Sequence, residues 1–116
     1  MFRRAKKYLT IQMLASLEPA KLKKLSEKKA LKAFQRAALK VPAYRQFLKE
    51  HNVPASSIKT IEDFKKTVPL LDKDKTFKLC SDNIKKLCVD GEINNIREII
   101  SSSGHSGLFS YSLISK

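Results

Sequence analysis

Apolar residues in the first half of the chain recur at helical spacing. Between Ala20 and Lys40, Leu22, Leu25, Leu31, Phe34 and Ala38 follow one another at intervals built from three and four residues, and the lysines between them are assigned to an opposite, solvated face. Pro19 suits the first turn of that helix. Val41, held away from helical geometry by Pro42, should end it near Lys40. A second, shorter helix is expected from Pro42, with Tyr44, Phe47 and Leu48 on one side and an end near His51 and Asn52. Val53-Pro54-Ala55-Ser56-Ser57 then reads as a polar linker. Thr60, followed by Glu62 and Asp63, predicts the N-cap of a short helix that stops before Pro69, and Asp72 predicts another cap, ahead of Phe77 and Leu79.

After Cys88 the period changes. Asp90-Gly91 is a turn signal, and residues 93–100 and 108–114 are rich in β-branched, aromatic and apolar residues. In the second stretch Leu108, Ser110, Ser112 and Ile114 alternate with Phe109, Tyr111 and Leu113. The reading is an α+β chain, with a helical region over residues 1–89 followed by a β-hairpin over residues 90–116 whose strands are joined by a Ser/Gly-rich loop. No internal repeat is visible.

Composition narrows the classes. The 116 residues bound one small domain or a piece of a larger one. With 42% hydrophobic residues, 3 Gly, 4 Pro and no Trp, collagen-like and Pro/Gly low-complexity classes are excluded. Charges interrupt every apolar run well short of the roughly 20 residues that cross a bilayer, so no transmembrane segment is expected. The acid-free start, with Arg3, Arg4, Lys6 and Lys7, has something of a targeting peptide, but Thr10 and Gln12 break its apolar part and no small-x-small cleavage site follows. An ordinary first helix is the preferred reading. Cys80 and Cys88, even with His51 and His105, match no zinc spacing and read as reduced structural thiols in a cytoplasmic protein.

The formal net charge of +13 is concentrated near the N-terminus: through Lys49 fourteen Lys and Arg face only Glu18 and Glu27. Such a half could dock on nucleic acid or an anionic membrane surface. Against nucleic acid, no aromatic residues interleave with the lysines as a stacking surface needs, and no base-reading helix is identifiable. A solvated helix face is the simpler reading of the charge.

The segment with chemical content is Ser101-Ser102-Ser103-Gly104-His105-Ser106-Gly107. Two glycines allow close backbone approach, and the hydroxyls add donors around a concave turn, which suits phosphate oxygens. It lacks the Gly-Lys-Ser/Thr ending of a Walker A loop. Nor does it form a nucleophile elbow, since Gly107 follows Ser106 immediately and no acid or His lies downstream. His105 and Ser106, adjacent on an extended backbone, point apart and so make no base and nucleophile pair. A plain hairpin loop without ligand remains the alternative.

Three segments taken in order carry a resemblance: Ala33-Phe34-Gln35-Arg36-Ala37-Ala38-Leu39-Lys40-Val41-Pro42-Ala43-Tyr44-Arg45, then Ile58-Lys59-Thr60-Ile61-Glu62-Asp63-Phe64 with Val68-Pro69-Leu70-Leu71-Asp72-Lys73, then Ser102-Ser103-Gly104-His105-Ser106-Gly107. Across residues 33–110 the chain resembles the start of phenylacetate-CoA ligase-like enzymes of the AMP-forming acyl ligase superfamily, in which a helix ending in VP-x-Y precedes an lP-x-x-dK segment and a Ser/Thr-Gly phosphate loop. The resemblance implies the first strands of an α/β adenylation core in residues 90–116. It also implies ATP, Mg2+ and CoA as cofactors and a small-molecule carboxylate as substrate, which is adenylated with release of pyrophosphate and then passed to the CoA thiol. Ser102, Ser103, Gly104, His105, Ser106 and Gly107 fall on the loop that in this family holds the β- and γ-phosphates of ATP. His105 stands where the family has a small hydroxyl residue, and Phe109 where Pro is common. The family's adenine, ribose and magnesium motifs and its catalytic lysine all lie beyond that loop. The expectation is therefore an N-terminal portion of such a ligase, inactive alone and with the remainder of the enzyme missing, that exposes sheet edges and apolar surface.

Overall fold

A computed structural model describes residues 10–104, 107 and 109–115. The architecture is α+β, as the sequence predicts: helices pack first, and a two-stranded antiparallel hairpin follows. Residues 10–15 are helical. The main helix, α1, is Pro19–Lys40. Pro19 occupies its first turn, and Val41 ends it in extended geometry (φ −102°, ψ 110°) because Pro42 follows. Helix α2, Pro42–Glu50, starts at once with Pro42 in its first turn.

The end of α2 shapes the core. Asn52 takes a left-handed φ of 54°, the Asn52 N–H donates to Lys49 O (3.1 Å), and the Val53 N–H donates to Leu48 O (2.9 Å). This Schellman arrangement reverses the chain and sends Val53 inward. Residues 53–57 are therefore not a polar linker: Val53 is buried, Ala55–Ser57 form a 3-10 turn, and Ile58 is the most deeply buried side chain of the core. The Gln35 amide of α1 holds this segment by donating to the carbonyls of Ala55 and Ile58, each at 3.0 Å. The Ala55 carbonyl also accepts from the Ile58 N–H (3.3 Å), so the amide adds a second bond there and ties the end of the turn to α1.

Helix α3, Ile61–Thr67, opens with a capping box: the Asp63 N–H donates to Thr60 Oγ1 (3.1 Å) and the Thr60 N–H donates to Asp63 Oδ2 (2.9 Å). The core cluster joins Phe34, Ala38, Phe47, Leu48, Val53 and Ile58, with Leu31, Tyr44, Phe64 and Val68 against it. Phe34 meets Tyr44 and Phe64 edge-on at centroid distances of 6.1 and 5.2 Å. Burial pushes the Tyr44 hydroxyl above its usual value of 10.0.

The apolar stripe expected along α1 does not hold together. Leu25 and Phe34 are nine residues apart, two and a half turns, and so face opposite sides of the helix. Leu31, Phe34 and Ala38 face the core, whereas Leu22 is 40% exposed.

Past α3 the backbone is a series of short turns. A five-residue π-helical turn, Asp74–Lys78, comes first; its N-cap is Lys73, without a side-chain cap bond, and the expected cap, Asp72, stands one residue earlier, where it accepts from the Lys75 N–H at 2.8 Å. Two 3-10 turns follow, Ile84–Leu87 and Val89–Gly91, and in the second Asp90 (φ 57°) and Gly91 (φ 68°) are both left-handed, fulfilling the turn signal. Lys40 pairs with Asp90 at 3.3 Å, linking α1 to this turn. Cys80 is buried and Cys88 half-buried, and both thiols are free.

Strand β1 is Ile96–Ser101 and β2 is Tyr111–Ser115. β1 starts later than the pattern suggests because Asn95, at φ 51°, interrupts extended geometry. Ser101 pairs with Tyr111, Ile99 with Leu113 and Ile96 with Ser115, with an irregularity between Ile96 and Glu98. Every β1 residue is exposed, and Phe77 reaches the hairpin through Tyr111 at a centroid distance of 6.5 Å. No helix of the described residues is long and apolar enough to cross a membrane.

Candidate phosphate-binding loop

The chain between the strands forms the candidate site. Its base is fixed by a reciprocal pair of bonds across the hairpin mouth: the Ser102 N–H donates to Ser110 O (2.9 Å), and the Ser110 N–H donates to Ser102 Oγ (3.0 Å). The Ser102 hydroxyl is thus tied to the opposite strand and half-buried. Further out, the Gly107 N–H donates to Gly104 O at 2.8 Å and closes a tight turn, with Gly104 at φ 65° and Gly107 at φ 77°. Both glycines occupy the left-handed region that a side chain would strain. Ser103 and Gly107 are exposed at the rim. His105 and Ser106, also expected in the loop, lie outside the described residues.

Phe109, in the place where the resembled family has Pro, closes one side. A Cβ on Gly104 would stand 2.6 Å from its ring, so the ring occupies the space that glycine leaves open. At Gly107 a Cβ would meet nothing within 4 Å. Beside this wall lies a largely apolar cavity of about 280 Å³, bordered by Phe77, Cys80, Ile84, Leu87, Gly107 and Phe109.

The residue that the sequence reading missed is Lys73. Its Nζ donates to Ser102 Oγ at 3.4 Å, bringing an ammonium group 29 residues upstream to the mouth of the loop. The signal was present, since Lys73 ends the Val68–Lys73 segment, but no role follows from spacing alone. Both bonds received by Ser102 Oγ use its lone pairs, and neither uses its proton. The assembly of left-handed glycines, hydroxyls and one cation is the chemistry of an anion cradle. Among the described residues no three of His, Cys, Asp or Glu come together as a metal site.

No family model, no curated protein and no solved structure matches this chain.

Proposed function

We propose that this chain supplies the N-terminal portion of an ATP-dependent, AMP-forming carboxylate–CoA ligase, and that the loop after β1 holds the terminal phosphates of ATP. The observation that carries this reading is the Lys73 ammonium at the Ser102 hydroxyl, on a hairpin loop turned by two left-handed glycines. Ser102, Ser103, Gly104 and Gly107 would surround the β- and γ-phosphates, His105 and Ser106 would complete the loop, and Lys73 would neutralise charge there. ATP supplies the electrophilic phosphorus that a small carboxylate attacks, and CoA is the final acyl acceptor. On this reading the role of these residues is to grip phosphate. The wet faces of β1 agree with a strand that belongs in a larger sheet. A cytoplasmic location fits the ATP and CoA supply that such a reaction needs.

The test is titration of the full chain with pyrophosphate, ATP and AMP, followed through backbone amide resonances. Pyrophosphate and ATP should shift the amides of residues 102–110, AMP should not, and Lys73→Ala should weaken pyrophosphate binding about tenfold. Loop amides that respond to AMP as to ATP, or to none of the three, would remove the proposal. Carboxylate-dependent exchange of labelled pyrophosphate into ATP by this chain alone would overturn its role as an inactive portion.

A further inference from the structure

The fully buried positions of α1, Phe34 and Ala38, lie in its last two turns, on a stripe that runs back through Leu31 and Glu27. Across the helix, positions 21, 25, 28 and 32 form the opposing stripe, flanked by position 29. There Lys21, Lys28, Lys29 and Lys32 are exposed. Within the same arc Leu22 is 40% exposed and Leu25 half-buried. Between Lys21 and Lys32 the sole acid is Glu27, which lies on the core side, and the Glu18–Lys21 pair (3.3 Å) is wet at both ends. The helical residues ahead of α1 add apolar exposure at Ile11 (56%) and Met13 (65%).

We propose that the outer face of the first four turns of α1 docks on a bilayer surface bearing anionic phospholipid. Charge complementarity selects an anionic occupant. The leucines select lipid over nucleic acid: at a headgroup boundary Leu22 and Leu25 enter the acyl border while the lysine stems snorkel to the phosphates. A nucleic-acid backbone would neutralise the lysines and leave the leucines in water. No aromatic residue stands between Lys21 and Lys32 to stack on bases. Docking is peripheral and does not depend on the ligase reading.

The experiment is co-sedimentation of the full chain with vesicles of phosphatidylcholine alone and of phosphatidylcholine mixed with phosphatidylglycerol. Binding should be confined to the mixed vesicles and should weaken as salt rises past about 0.15 M. The variant K28Q/K29Q/K32Q should lose about a hundredfold in partitioning. L22S/L25S, with every lysine kept, should lose at least about tenfold. Unchanged helical circular dichroism in both variants separates these losses from unfolding. Equal binding to the uncharged vesicles would overturn the proposal. So would duplex DNA binding as tight as vesicle binding at the same salt, with L22S/L25S indifferent in both, since the face would then be a plain polycation.

Discussion

At the scale of single residues, the two loop glycines are alike in backbone and unlike in surroundings. Each sits at positive φ, so alanine at either position carries left-handed strain of about 1–2 kcal/mol. At Gly104 the added methyl would also lie within 2.6 Å of the Phe109 ring, and because that ring is 51% exposed it is displaced rather than crushed. Gly104→Ala should therefore move the Phe109 ring resonances, while Gly107→Ala leaves them in place and loosens the turn by strain alone. Ring shifts of equal size in the two variants would mean that Phe109 does not wall the loop. Lys73 shows the limit of reading such residues locally. Its type and position are plain in the sequence, but its bond to Ser102 spans 29 residues and exists only once the hairpin folds back over the segment before it.

At the scale of elements, sharp boundaries follow from sharp chemistry. Pro19, Pro42 and the Thr60/Asp63 pair each act through a local steric or hydrogen-bond rule, so the limits of α1, the start of α2 and the cap of α3 are legible before any packing is known. Residues 53–58 are not legible in that way. Val53 and Ile58 bracket four small residues, and only the Asn52 reversal and the Gln35 amide turn that stretch into core. The late start of β1 at Ile96 likewise depends on the left-handed Asn95, which a β-rich window conceals. The α3 cap makes a prediction of its own. Thr60→Ala removes the acceptor for the Asp63 N–H and should destabilise α3 by about 0.5–2 kcal/mol. Hydrogen bonds from the Thr60 side chain, then from the backbone N–H groups of Thr60 and Lys59, hold the Asp63 carboxyl below its ordinary 3.8. A folded-state value below the unfolded one gives stability that is present above about pH 3.8 and lost as pH falls through the lower folded value. Far-UV circular dichroism followed downward from pH 5 should show this acid limb in the native chain and a flatter one in Asp63→Asn; identical limbs would mean that the cap carries no linkage.

At the scale of the molecule, two parts of different robustness share one chain. The aromatic and aliphatic cluster about Phe34 is closed on several sides by α1, α2, α3 and Ile58. The hairpin has no buried residue in β1, and two strands alone are marginal in water. Amide hydrogen exchange should therefore divide the protein: amides from Phe34 to Leu48 should exchange slowest, and those of β1 and β2 orders of magnitude faster, through opening that leaves the helices intact. Uniform protection across both parts would contradict this division. The wet faces of β1 carry one more consequence. Where one face of a strand is buried, a one-residue slip would trade core for solvent, and that penalty locks the register. Here nothing is traded. The pairing is pinned by the irregularity beside Arg97 and by the two bonds between Ser102 and Ser110, so strand and loop draw on a common reserve of residues. Ser102 and Ser110 thus end the pairing and begin the loop at once, and a substitution at either residue bears on both.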